Sequence, residues 1–406
     1  MTEAFSFFSG IIFDEPSSEF NKSGFNDFMK IMSENLINYS VSKFNELTYK
    51  FNASILNESD SESIKILINS TQGDIDKLNE LYSTENYYSA SSYSVRVGIN
   101  SLYSAYVIDY LLNQSDLESM IIELNKSLVD FEKIFDREIL IDSINDFEAI
   151  GISIERLFEA KGLLNATAEY YLKNDSFNAL YNLAFAHIRL KTSESWLSLK
   201  DMLTGNMTYK FNQEDFSELA YTRIENAKTL SNYAKSMQES YYTSSADDMI
   251  DSSVSAYRRG DIVFSLFESL KSISNSNLAL SLAGVTDENL DDRISVLMSL
   301  AAKNINLAKS KGVMPTMAYS YYEYGQTFRE SDPLQAIIFF EYSKQFSMLS
   351  EDLANQVNIK TGNGVMIESE DKQLLAKITI SFFIGLLFAL TVLEVYYERA
   401  LRNKRK

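Results

Sequence analysis

Residues Asn165 to Leu199 read NATAEYYLKNDSFNALYNLAFAHIRLKTSESWLSL, and this stretch decides the fold. A helical apolar period runs into Tyr171, a polar Lys-Asn-Asp turn follows, and a second helix rich in small residues resumes at Phe177. Ala179, Ala184 and Ala186 let two antiparallel helices approach where they face an aromatic of the partner. The pattern recurs upstream as LNELYSTENYYSASSYSVRVGINSLYSAYVIDYLL, from Leu78 to Leu112. Its turn aligns at one offset: Tyr82 against Tyr171, Tyr88 against Phe177, Ala90 against Ala179. A weaker copy, SAYRRGDIVFSLFESLKSISNSNLAL, turns at Gly260–Asp261. A fourth, MAYSYYEYGQTFRESDPLQAIIFFEYSKQFSML, turns at Ser331–Asp332–Pro333, with Asp332 expected as N-cap and Pro333 at the first helical position.

The turns are separated by about 89, 87 and 72 residues, too irregular for a solenoid. The expected fold is therefore all-α: an irregular stack of antiparallel helical hairpins in the tetratricopeptide-like style, each burying its inner face on the next. Composition agrees. Three prolines and 14 glycines in 406 residues are too few turn formers for an all-β protein of this size. Gly24 to Glu58, ahead of the hairpins, and Leu117 to Phe135 and Phe216 to Met237, between them, read as amphipathic helices, the first broken by the polar run Ser59 to Ser63. Weak boundaries fall near Asp142–Asn145, Thr204–Gln213 and Thr243–Asp248.

The C-terminal end changes character. Leu374 to Tyr397, LLAKITISFFIGLLFALTVLEVYY, would extend about 36 Å as a helix, enough for a hydrocarbon core of about 30 Å. Lys377 and Glu394 fall near the two interfaces and Tyr396 and Tyr397 at an aromatic belt. We therefore expect one C-terminal transmembrane helix and a lipid bilayer as partner. Ser381, Gly385 and Ala389 share one face of it, a pattern that permits homo-oligomers through the span. Arg399, Arg402, Lys404, Arg405 and Lys406 follow directly, whereas Glu368, Glu370 and Asp371 precede it. The positive-inside rule puts the tail in the cytoplasm and the large domain outside, at a cell membrane.

The chain carries a net charge of −19; the tail holds five bases and one acid, so residues 1–397 hold −23, which argues against nucleic acid as a partner. Sequons at Asn21, Asn38, Asn52, Asn57, Asn69, Asn113, Asn125, Asn165, Asn174 and Asn206 fit an exported domain open to glycosylation. Yet the apolar patch Ala4 to Phe13 lacks a basic n-region and is short for an export signal. Two readings follow: a chain missing its natural N-terminal portion, or a tail-anchored protein with a cytoplasmic domain. The expected layout is a linker at 1–20, an acidic helical domain at 21–357, a juxtamembrane stalk at 358–373, the span at 374–397 and the tail at 398–406.

Chemistry-bearing motifs are scarce. There is no cysteine, which excludes disulfides and thiolate catalysis. Neither phosphate-cradling glycine pattern occurs, and we expect no cofactor. The lone His187 reads as a satisfied, half-buried hairpin residue. The acids Asp247, Asp248 and Asp251, and Asp287, Glu288, Asp291 and Asp292 after Thr286, match no EF-hand spacing; the second group suits a helix N-terminus. Tyr319, Tyr321, Tyr322 and Tyr324 form the densest aromatic group, either core or the lining of a groove for a protein or peptide partner.

The opening MTEAFSFFSGIIFDEP, through Glu3, Ala4, Phe7, Phe8, Ser9 and Gly10, resembles the segment that follows the catalytic domain in archaeal Lon-like membrane serine peptidases. In that family a long helical region and a C-terminal span come next, the order of parts seen here. The resemblance implies an accessory or substrate-presenting region. The family's serine–lysine dyad has no counterpart in this chain, so no catalytic residue is carried over. A stand-alone cell-envelope scaffold that binds proteins in its hairpin grooves is the alternative.

Overall fold

A helix begins well where a side chain replaces the acceptors its first turn lacks. Asn57, Asp116 and Asp175 each accept from a backbone N–H two or three residues on, and Ser240 with Thr243 forms a reciprocal capping box. Asp332 accepts from Gln335 N at 3.1 Å with Pro333 opening the helix, as expected. Four helices among the described residues stop on a left-handed residue: Glu85 (φ 60°), Asn113 (φ 53°), Asn174 (φ 57°) and Gly260 (φ 88°). The next residue then returns its N–H to the carbonyl five back, Asn86 to Leu81, Gln114 to Asp109, Asp175 to Tyr170 and Asp261 to Ala256. That is the Schellman closure. Glu85 and Asn174 occupy the same place in the two aligned copies.

The computed structural model describes residues 23–114, 116–135, 144–200, 213–237, 239–283, 285–286, 288–311 and 313–360. Among them are twelve helices and no strand: α1 (Ser23–Ala53), α2 (Glu58–Ser83), α3 (Tyr87–Leu111), α4 (Leu117–Glu132), α5 (Ile144–Leu172), α6 (Ser176–Leu197), α7 (Gln213–Met237), α8 (Tyr241–Arg259), α9 (Ile262–Leu282), α10 (Leu290–Ser310), α11 (Thr316–Phe328) and α12 (Pro333–Lys360). The fold is all-α. All four expected turns lie between consecutive helices: α2/α3, α5/α6, α8/α9 and α11/α12. Helix α3 packs against α1, α2 and α6; α9 packs against α5, α7 and α8; α11 lies on α3 and α5. The chain divides into units 1–351 and 352–406, and of the second only the helical end 352–360 is described.

Two expected boundaries move. The first helix ends at Ala53, and Ser59 to Ser63 lies inside α2. The acids there start a helix because Asn57 accepts from Asp60 N and Glu58 and Asp60 sit in the positive first turn. Thr243–Asp248 likewise lies within α8, behind the Ser240 cap. Among the described residues no helix is long and apolar enough to cross a membrane. The expected span 374–397 with Ser381, Gly385 and Ala389, the tail with Arg399, Arg402, Lys404, Arg405 and Lys406, and the linker 1–20 lie outside the described residues, as does the stalk beyond 360.

Close packing comes from small residues, and serine is the one used most. Ser153 Oγ donates to Ser193 O (2.8 Å) and Ser193 Oγ donates back to Ser153 O (2.5 Å), joining α5 to α6. Ser253 Oγ donates to Ser265 O at 2.7 Å across α8/α9, Ser272 Oγ to Ala246 O at 2.8 Å on the same pair, and Ser343 Oγ to Ala318 O at 2.7 Å across α11/α12. Each hydroxyl is buried and satisfied, so it costs little while allowing close approach. Gly151 extends the theme: a Cβ there would overlap the Phe267 ring, which is itself fully buried.

Among the helices without a local side-chain cap, α3 at Asn86 and α11 at Pro315 are served from other helices. Buried carboxylates supply the cap. Glu323 of α11 accepts from Ser89 N at 2.9 Å, and Glu148 of α5 accepts from Met317 N at 3.1 Å and from Ser350 Oγ at 2.7 Å. Burial pushes the Glu148 carboxyl up to about 7, against the pull of its hydrogen bonds from Ser350, Met317 and Thr316.

A carboxyl raised in the folded state stabilises the fold below its ordinary pKa, and that contribution is lost as pH rises through its folded value. Unfolding free energy is therefore expected to fall by roughly 3 kcal/mol on this group's account between about pH 5 and about pH 8. Denaturant titrations of wild type and Glu148→Gln check it: the variant should lack that component, and an unchanged slope would remove Glu148 as its source. At the serine contact, Ser193→Ala is expected to cost about 1 kcal/mol and Ser193→Leu about 3 kcal/mol by overpacking, read by urea unfolding.

Candidate functional site

A cleft of ≈ 630 Å³ opens where α1, α3, α5, α6, α9, α11 and α12 converge. Its walls follow helical periodicity. Tyr181, Phe185, Arg189, Thr192 and Trp196 form one stripe of α6, spaced three or four apart, and Glu155 and Glu159 stand one turn apart on α5. Tyr321, Tyr324 and Phe328 come from α11, Phe339 and Tyr342 from α12, and Lys271 from α9. Their rings interlock: Tyr88 meets Tyr321 and Tyr324 edge-on at 6.3 and 5.8 Å, Tyr324 meets Phe339 at 4.4 Å, and Tyr321 meets Tyr342 at 5.3 Å. Burial raises the Tyr88 and Tyr321 hydroxyls and pushes those of Tyr324 and Tyr342 up to about 12. At neutral pH they are neutral donors and acceptors.

A chain of ion pairs crosses this floor. Arg156 Nη1 donates to Glu159 Oε2 at 2.8 Å, and Arg189 Nε lies 3.0 Å from the same oxygen, misaligned for a hydrogen bond. Lys271 Nζ donates to Glu155 Oε1 at 2.8 Å and to Glu268 Oε1 at 3.0 Å. Desolvation opposes the charges of Arg156, Glu159, Arg189 and Lys271, and the pairing outweighs it for three of them. Glu159 is held well below the usual carboxylate value by Arg156 and Arg189, Arg156 is held up by Glu159 and Glu155, and Lys271 by Glu155 and Glu268. Arg189 is shifted down, by burial and by the neighbouring Arg156 charge. At the rim, Arg96 lies over the Tyr93 ring at 4.5 Å and pairs with Asp74 at 3.4 Å. From the cleft an exposed aromatic edge runs along α3 and α6: Tyr103 meets Tyr181 at 5.5 Å and Tyr110 meets Phe177 at 6.0 Å.

The four tyrosines singled out by the sequence divide between two environments. Tyr321 and Tyr324 line the cleft. Tyr319 stacks on Phe25 at 4.8 Å and its hydroxyl accepts from Lys309, and Tyr322 packs edge-on against Phe340 at 5.5 Å. Of the sequon asparagines, Asn38, Asn52, Asn57, Asn69, Asn113, Asn125, Asn165 and Asn174 are exposed, and Asn21 and Asn206 lie outside the described residues. Asn57, Asn113 and Asn174 also cap or close helices, roles that explain them without a glycan. His187 is half-buried with Nδ1 at 3.1 Å from Tyr106 Oη, and burial lowers its pKa. Asp247 is engaged by Ser231 and Lys235, and Asp291 and Asp292 sit in the first turn of α10. Among the described residues no group of acids or histidine is arranged to hold a metal ion.

No family model, curated protein or solved structure matches this chain. The geometry of the cleft therefore carries the functional reading. The charged members of its floor, Glu155, Arg156, Glu159, Arg189 and Lys271, were not signalled by the sequence. Each belongs to an ordinary amphipathic helix, and Lys271 meets Glu155 across 116 residues of chain.

Proposed function

We propose that this chain is a non-catalytic, protein-binding helical module that receives a peptide segment in the aromatic cleft. The observation that carries the reading is the convergence, in one open cleft of ≈ 630 Å³, of ten aromatic side chains from α3, α6, α11 and α12 above a paired floor of guanidinium, ammonium and carboxylate groups. Aromatic anchors in a water-excluding recess are what peptide recognition uses for affinity, and fixed charges give it register. The charged groups are engaged with one another and no nucleophile–base pair stands among the lining residues, which favours binding over chemistry. The apolar stretch 374–397 and the basic residues after it support a single-pass anchor, with the cleft outside and the tail in the cytoplasm. With the Lon-like resemblance of residues 3–10, the module is an accessory region that presents protein segments to a membrane peptidase.

The test for the cleft is an array of immobilised ten-residue peptides probed with the full chain in detergent micelles. Wild type is expected to retain peptides with two or more aromatic residues and to lose them when those residues become Ala. Tyr93→Ala with Tyr324→Ala, two partly exposed wall positions, should weaken retention by at least about tenfold. Indifference to both changes would remove the cleft as the binding site. For the anchor, the protein should stay in the membrane fraction after alkaline extraction and be digested by protease added to intact cells. Release into the supernatant, or protection until the membrane is opened, would overturn the anchor or its orientation.

A further inference from the structure

The charges on the cleft floor are unevenly shared. Arg156 and Arg189 divide a single carboxylate, Glu159, whereas Lys271 alone serves two, Glu155 and Glu268. The cluster holds three cations and three carboxylates, yet its arginine end is positive and its lysine end negative. The two ends are built on Glu159 and Glu155, one turn apart on α5 and so separated by about 6 Å. Each end keeps one buried atom without a hydrogen-bond partner: a donor, Arg189 Nε, and an acceptor, Glu155 Oε2. The Glu155 side chain is only 3% exposed, and it lines the cleft. Arg189 Nε keeps only its misaligned ion pair with Glu159, and Glu155 Oε2 has no hydrogen bond, so the recess is complementary to something that supplies both an acceptor and a donor. The Tyr88 and Tyr321 rings line the same cleft as Glu155, Arg156 and Arg189.

We propose that the cleft binds a short aromatic zwitterion, of dipeptide size, with its carboxylate at Arg189 and its ammonium at Glu155. This rests on the reading of the cleft as an aromatic peptide site and adds a further class of ligand to it, small peptides with both termini free. Two extended residues span about 7 Å, comparable to the rise of about 6 Å between Glu155 and Glu159 on α5. A purely anionic or cationic ligand would satisfy one end and leave the opposite charge of the other end buried against it.

Trp196, the single tryptophan of the chain, lines the cleft and reports occupancy by fluorescence. Four ligands are titrated into the full chain in micelles: Phe-Phe with free termini, N-acetyl-Phe-Phe, Phe-Phe-amide and Ala-Ala. Phe-Phe is expected to give a saturable change, and each of the other three to bind at least about tenfold more weakly. Glu155→Gln should bring Phe-Phe down to the level of its acetylated form. The wild-type ligand series is decisive even if that variant does not fold. Equal binding of either capped form would overturn the zwitterion assignment while leaving the peptide cleft intact. So would failure of all four ligands while longer aromatic peptides still bind. Failure of the longer peptides as well would overturn the underlying reading and this one with it.

Discussion

A serine hydroxyl donated to the backbone carbonyl of the facing helix is the constraint on which this structure depends. Such a contact needs two helices close enough that neither can carry a large side chain there, and it satisfies a buried polar group that would otherwise cost free energy. Ser153 with Ser193 sets the distance between α5 and α6, and Ser253 with Ser265 does the same for α8 and α9. The buried Phe267 ring of α9 takes the room that Gly151 of α5 leaves by having no side chain. A hydroxyl also accepts only particular partners, so the seam specifies register in a way that alanine alone would not.

The second device is a carboxylate that caps a helix other than its own. Glu323 on α11 closes the start of α3, and Glu148 on α5 closes the start of α11. Together they tie α5, α11 and α3 into one sequence of contacts running behind the cleft. The aromatic wall from α11 and the ionic floor from α5 are thus held in fixed relation. A buried ion cluster is a poor source of net stability, because desolvation offsets most of the attraction. What it does here is place charges of opposite sign at two points of an aromatic recess.

Much of the architecture was legible because it is local. The turn after α5 shows in Lys-Asn-Asp, where Asn174 adopts the left-handed conformation that asparagine tolerates, and Asp332–Pro333 announces the start of α12. The matching of Tyr82 to Tyr171 and of Ala90 to Ala179 carried through to two hairpins of the same build, down to the left-handed Glu85 and Asn174. The polar run Ser59 to Ser63 was misleading for a physical reason: serine and acids both interrupt helices and begin them, and only the position of Asn57 separates the two. Buried serines are not legible in the sequence, because a hydroxyl reads as surface unless its carbonyl partner, 12 to 40 residues away, is known.

What the sequence by itself determined depends on neighbours along the chain: most of the helices, the Asp332 cap, the four hairpin turns and the apolar faces that must be buried. What only the tertiary structure decided is which of those faces meet. Tyr321 and Tyr324 enter the cleft while Tyr319 and Tyr322 pack elsewhere, although all four lie within two turns of one helix. Arg156, Arg189 and Lys271 are unremarkable in their own helices and become a polarised floor only when α5, α6 and α9 are brought together. The reason is range. Backbone propensity and capping act over a few residues, whereas a binding site needs charges and rings from remote segments, and nothing local in a helix records its partner.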